Sequence, residues 1–197
     1  MNLPNKLTIF RIILVPIIVI VSLINMPGTP LGVPTNMIVM GVIFIIASIT
    51  DKLDGYLARK NNEVTTFGKF LDPIADKILV LAAMIIFVEV GKLPSWIPII
   101  VLFREFIVSG YRLIAVQKNG TVIAASIWGK LKTVTQMIAL ILMFIDANKY
   151  GAIFTEHLTG WAFVLNLLTT LLMSISVIAT IFSGYEYIKG GKDLLKD

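Results

Sequence analysis

Four aspartates, Asp51, Asp54, Asp72 and Asp76, fall close together in a chain otherwise dominated by hydrocarbon side chains. The first two are three residues apart and the last two four apart, so on helices each pair lies on a single face. Between them runs "RKNNEVTTFGK", a polar connection whose Gly68 can relax the backbone and let the two helices pack antiparallel. Four carboxylates then converge. Unpaired, they would repel one another and be costly to desolvate, so either their pKa values rise or cations hold them together. Oxygen-only ligands select hard divalent ions such as Mg²⁺ or Mn²⁺. Two such ions bridged by shared aspartates would leave open positions for phosphate oxygens. Helix capping, or pairing with Lys52, Lys69 or Lys77, explains any single aspartate about as well. It explains four in this spacing poorly.

The elements that must carry these acids are apolar. Of 197 residues, 57% are hydrophobic and 15% charged, against about 25% charged in soluble domains. An all-α integral membrane protein is expected, folded as a single transmembrane catalytic domain over residues 1–197. Six runs are long enough to cross the roughly 30 Å of hydrocarbon as helices. They lie near residues 7–25, 36–58, 70–90, 95–116, 131–147 and 160–182. The opening "MNLPNKLTIFR" lacks a signal-peptide cleavage site, and its apolar stretch continues into a retained span.

Orientation follows from charge. The first connection, "NMPGTPLGVPT", is uncharged, whereas the second is basic; only Lys92 and Lys149 fall on the side opposite the other loop cations. By the positive-inside rule both termini and the aspartates face the cytoplasm. The net charge of +5 is thus a topology signal first and a basic face near anionic lipid second. Nucleic-acid binding is a poor reading, because the bases sit at span ends. With no cysteine and one histidine, His157, disulfides, thiolate metal sites and histidine relays are excluded. His157 reads as a solvated loop residue, and Trp96, Trp128 and Trp161 as interface anchors.

Residues 51–76 read D-x2-D-G-x2-A-R-x8-G-x3-D-x3-D, which resembles the signature of the CDP-alcohol phosphotransferases. The resemblance implies six transmembrane helices, a homodimer, two divalent cations, and transfer of a phosphatidyl or related group from a CDP-linked donor to an alcohol, with release of CMP. It implies that Asp51, Asp54, Asp72 and Asp76 are metal ligands, with Asp76 also the general base. It further implies that Asp54, Gly55, Ala58 and Arg59 hold the CDP moiety. Small Gly55 and Ala58 would clear room for a nucleotide, and the Arg59 fork suits phosphate; as small residues the first two would serve a helix contact equally well.

Acceptors within such a family include glycerol 3-phosphate, inositol phosphate, serine and choline. A phosphate-bearing acceptor needs cations beyond those serving the donor. "FREFIVSGYR" places Arg104 and Arg112 eight residues apart, about two helical turns on one side, and "GKLKT" adds Lys130 and Lys132. These segments, with "NLPNKLTIFRI" and "SGYEYIKGGKD", resemble bacterial members that join CDP-diacylglycerol to sn-glycerol 3-phosphate. Neutralisation of Arg104 by Glu105 or Glu89, and a topology role for the two lysines, are the plainer alternatives. Asn5, Thr8 and Arg11 are candidates for nucleotide or headgroup contact, with helix capping or an interfacial role as the alternative. An ion-coupled transporter is the rival from another class. It predicts polar groups near the bilayer midplane and broken helices in paired halves, and this sequence shows neither.

Overall fold

The computed structural model describes the backbone of residues 3–60, 66–119 and 126–190. Within these it describes the side chains other than those of residues 3, 4, 52–60, 66–70, 72, 73, 76, 113 and 116–119. Six long helices make up almost all of this: α1 (Leu3–Leu23), α2 (Thr35–Lys60), α3 (Thr66–Glu89), α4 (Trp96–Asn119), α5 (Ile127–Ile145) and α6 (Gly160–Gly190). Short 3₁₀ turns occupy Pro30–Gly32 and Ala152–Phe154, and no strand occurs among the described residues.

Each apolar run seen in the sequence overlaps one helix, but the ends differ for physical reasons. Hydropathy marks where hydrocarbon can lie, not where backbone hydrogen bonding stops. The 31 residues of α6 span about 46 Å, well beyond the hydrocarbon thickness, so this helix runs past the apolar stretch through "SGYEYIKG". At α3 the difference bears on the aspartates: the helix begins at Thr66, so Gly68 lies in its first turn and not in the connection.

Among the described residues three helices are long and apolar enough to cross a membrane, over Asn5–Leu23, Ile127–Ile145 and Gly160–Gly190, and α2 has a shorter apolar stretch over Thr35–Asp51. Many large apolar side chains on the helices point outward, among them Ile20, Ile85, Ile99, Phe103, Phe106, Ile178 and Ile181. Such a surface is unfavourable in water and suits lipid.

The chain divides into two compact units. The first comprises residues 1–92 with 141–149. In it α1 packs against α2 and α3, burying Ile18, Met40, Phe44, Leu79, Met84 and Phe87. The end of α5 completes this core: the Phe144 ring lies 4.6 Å from that of Phe87 and 5.5 Å from that of Phe44, within the range of favourable tilted aromatic pairs. Gly41 makes room for it, since a Cβ there would come within 2.8 Å of the Phe144 Cβ. Beyond α3 the chain turns through Gly91 at φ +73°, with Lys92 N–H bonded to Phe87 O at 2.8 Å and Gly91 N–H to Val88 O at 3.1 Å, a Schellman ending that needs a left-handed residue. This turn aims Lys92 at the end of α5, where its Nζ donates to Met143 O at 3.2 Å and to Asp146 O. Those carbonyls would otherwise end the helix unsatisfied. Burial pushes the Lys92 ammonium down to about 8, partly opposed by the nearby Asp146 carboxylate.

The second unit comprises residues 93–140 with 150–197, and its central contact is α4 against α6. Polar side chains on α6 tie down the turn before it: Asn166 Oδ1 accepts from Ile153 N–H at 3.1 Å, Thr170 Oγ1 from Gly151 N–H at 3.1 Å, and Ser174 Oγ bonds Tyr150 Oη at 2.8 Å. One helical turn separates each from the next. Further along, the same helix meets the cations of α4.

Candidate functional site

In the first unit, α2 carries Asp51, Asp54, Gly55, Ala58 and Arg59, and α3 carries Asp72 and Asp76. Asp51 is the described one of these side chains; those of Asp54, Gly55, Ala58, Arg59, Asp72 and Asp76 lie outside the described residues. The Asp51 side chain keeps 35% of its surface exposed, and its Oδ1 lies 2.6 Å from Arg11 Nη1, a guanidinium with no exposed surface. Arg11 on α1 therefore carries its charge into the packed interior and meets an acid there; the side chains of Lys52 and Lys69, considered from the sequence as partners of the aspartates, lie outside the described residues. Asn5 and Thr8, on the same helix, are buried too. Since α1 begins at Leu3, neither residue is its N-cap.

Divalent cations fit what is described here in one respect. Asp51 is a hard oxygen donor at the end of an apolar helix, partly exposed, with one oxygen engaged by Arg11. Among the described residues no group of three or more acidic, histidine or cysteine side chains converges.

The second unit holds the predicted basic residues, and their side chains are among the described ones. Arg104 and Arg112 lie two turns apart on α4, and Lys130 and Lys132 on the first turns of α5. Glu105 Oε1 accepts from Arg104 Nη1 at 2.9 Å and from Lys132 Nζ at 2.8 Å, so of the two acids considered from the sequence Glu105 is the one paired with Arg104. From α6, Ser183 Oγ accepts from Arg104 Nε at 3.3 Å and Nη2 at 2.6 Å. Tyr187 Oη accepts from Arg112 Nη2 at 2.9 Å. The Tyr187 ring lies 5.6 Å from the Arg112 guanidinium carbon and 5.9 Å from that of Arg104, within reach of cation–π attraction. Arg104, Lys132 and Arg112 are thus drawn together by one carboxylate and two neutral hydroxyls. Lys130 is exposed.

These four residues, Arg104, Glu105, Arg112 and Lys132, carry three positive charges and one negative. Guanidinium forks matched with an ammonium suit a phosphate, and a net positive cluster suits a dianionic one. Beside it α4 and α6 enclose a groove of about 490 Å³, lined mainly by Ile99, Phe103, Ile107, Ile181 and Ile188 with the Arg104 side chain at its wall. His157 is exposed in the connection before α6. Trp128 stacks on Phe182 at 4.9 Å, while Trp96 and Trp161 are exposed at helix starts.

Sequence reasoning did not single out Ser183 and Tyr187 as partners of the arginines, although "SGYEYIKGGKD" contains both. The available signal was two polar residues one helical turn apart at the end of an apolar run. Gly129 was equally inconspicuous, and its place against Arg104 is visible only in three dimensions.

The family model for CDP-alcohol phosphatidyltransferase matches residues 1–182. A CDP-diacylglycerol–glycerol-3-phosphate 3-phosphatidyltransferase of Bacillus subtilis (strain 168) is 40% identical over 200 aligned residues, covering 99% of this chain and 97% of the relative. Proteins of the same name from Haemophilus influenzae and Rickettsia bellii are each 38% identical, over 100% and 97% of this chain and 96% of each relative. With a match of that extent, and with the aspartate pattern on α2 and α3, the chain belongs to the CDP-alcohol phosphatidyltransferase family.

Proposed function

We propose that this membrane protein transfers the phosphatidyl group of CDP-diacylglycerol to sn-glycerol 3-phosphate, giving phosphatidylglycerophosphate and CMP in phospholipid biosynthesis. The observation that carries the choice of acceptor is the cluster of Arg104, Arg112 and Lys132 held by Glu105, Ser183 and Tyr187. A phosphate on the acceptor gives that excess of positive charge a partner. Relatives similar over nearly their whole length carry the name of this activity.

In the reaction proposed, Asp76 takes the proton from the glycerol 1-hydroxyl, and that oxygen attacks the phosphorus bearing the diacylglycerol. A new phosphodiester bond forms, the phosphoanhydride bond breaks, and CMP leaves with the bridging oxygen. Two divalent cations, Mg²⁺ or Mn²⁺, held by Asp51, Asp54, Asp72 and Asp76, would neutralise the diphosphate. Asp54, Gly55, Ala58 and Arg59 are assigned to the CDP moiety. Arg104, Arg112, Lys130 and Lys132 are assigned to the acceptor's phosphate, and Asn5, Thr8 and Arg11 to the nucleotide or headgroup region. The ion pair of Arg11 with Asp51 suits a role for Arg11 in setting that carboxylate.

The same reading makes residues 1–197 a single catalytic domain with six spans in the bacterial cytoplasmic membrane. Both termini and the reaction would lie on the cytoplasmic side, and the protein would act as a homodimer. CMP release from CDP-diacylglycerol, with glycerol 3-phosphate, an inositol phosphate, serine and choline offered in turn, tests the acceptor. Turnover with glycerol 3-phosphate alone is the expected result. Preference for an inositol phosphate would replace the acceptor while keeping the chemistry.

A further inference from the structure

Arg104 has a long, flexible side chain, yet groups on two other helices of its unit define its guanidinium. Ser183 on α6, with no exposed surface, accepts from both Nε and Nη2. On α5, Gly129 presents bare backbone to the same group: a Cβ there would lie 3.0 Å from Arg104 Nη2 and 3.6 Å from Ser183 Oγ. That is closer than side-chain carbons ordinarily approach a nitrogen, so the guanidinium could not keep its place beside alanine without moving.

The backbone does not require glycine at this position. Gly129 lies in the first turn of α5 and is not among the glycines with positive φ, and glycine is a poorer helix former than alanine. Its position is nevertheless fixed, because Ser126 Oγ caps the helix by accepting the Gly129 N–H at 3.1 Å. A capped, buried glycine in helical conformation thus faces the one nitrogen that a methyl group would displace.

We infer that Gly129 and Ser183 are positioning residues that hold the Arg104 guanidinium in the orientation that receives the acceptor's phosphate. The inference rests on the assignment of Arg104 to that phosphate. Small displacements of a binding group cost catalysis disproportionately. Gly129→Ala should therefore weaken glycerol 3-phosphate use while favouring the helix itself, a combination that a purely structural glycine would not give.

The test is steady-state kinetics of the full-length protein in mixed micelles, with thermal unfolding of the same samples. Gly129→Ala is expected to raise KM for glycerol 3-phosphate about tenfold, with kcat and the KM for CDP-diacylglycerol within about twofold and the melting temperature unchanged or higher. Ser183→Ala is expected to raise the same KM by a similar factor, since it removes an acceptor from a charged donor. In an Arg104→Lys background, which has no Nη2, Gly129→Ala should add nothing. A parental KM in both Gly129→Ala and Ser183→Ala, or an undiminished effect of Gly129→Ala in the lysine background, would overturn the inference. If Arg104→Ala itself leaves the KM for glycerol 3-phosphate unchanged, the acceptor assignment fails and takes the inference with it. If Arg104→Ala raises that KM and neither positioning variant does, the inference alone falls.

Discussion

Arg11 and Arg104 are both arginines set in apolar helices, and the two units accommodate them differently. Arg11 has no exposed surface and meets Asp51 in an ion pair between α1 and α2. The pair is neutral, and its acid is one of the four aspartates of the family pattern. Arg104 shares Glu105 with Lys132 and leans on the hydroxyl of Ser183, while Arg112 leans on that of Tyr187. Among the described residues that group counts three cations against one carboxylate. A neutral pair can fix a carboxylate in place; an unbalanced cluster beside hydrocarbon is costly until an anion joins it. The first unit thus holds an arginine balanced within the fold, and the second a cation cluster that, on the proposed function, takes the acceptor's phosphate.

The contrast predicts different failures. Asp51→Ala takes an ion-pair partner from a fully buried guanidinium and should cost about 1–3 kcal/mol of stability, as well as turnover with every acceptor. Arg11→Met should cost less stability, because the carboxylate it leaves behind is 35% exposed. Thermal unfolding of both variants in one detergent checks the asymmetry, and equal losses would remove it. Next in size, Arg104→Ala should raise KM for glycerol 3-phosphate roughly tenfold to a hundredfold, the loss of a charge-assisted contact, with little change in the KM for CDP-diacylglycerol. An equal rise for both substrates would erase the division of labour between the units.

Two glycines sharpen the same comparison. Gly41 faces the Phe144 Cβ at a distance that a methyl group cannot share, and that carbon is anchored to the α5 backbone. Gly41→Ala should therefore destabilise by about 1–3 kcal/mol, as overpacking does, whereas Gly129→Ala meets the end of a flexible side chain and should not destabilise. Melting temperatures of the two variants compare these directly.

The smallest effect concerns Lys92, in the turn between α3 and α4. Its folded pKa of about 8 lies below the ordinary 10.5, so the unfolded chain binds the extra proton between these values. Stability from this group therefore rises with pH from about 8 to 10.5. The parent protein should gain melting temperature relative to Lys92→Met over that window, and a relative loss would reverse the sign.

Much of the fold was legible in the sequence because hydrocarbon thickness imposes a length on apolar runs. Each of the six runs overlaps one helix; among the described residues α1, α5 and α6 are apolar and long enough to cross by composition, while α4 interrupts its apolar run with Arg104 and Glu105. The pairing of Arg104 with Glu105 was legible as well, since the two are neighbours. The partners on α6 were not: Ser183 lies 79 residues from Arg104 and Tyr187 lies 75 from Arg112, and no local spacing encodes a contact across that distance. The Arg11–Asp51 pair was hidden in the same way, because nearby lysines offered closer partners in sequence. Gly68 was misplaced because a glycine beside polar residues reads as a turn, while the helix here begins two residues before it.

The most direct test is CMP release from CDP-diacylglycerol by the purified protein, with and without glycerol 3-phosphate and Mg²⁺ or Mn²⁺, beside an Asp76→Asn variant. Release that requires acceptor and cation, and falls at least a hundredfold in the variant, is the predicted result. CMP release undiminished in Asp76→Asn, or none with any acceptor from protein shown to be folded, would contradict the assignment of the aspartates to phosphatidyl transfer.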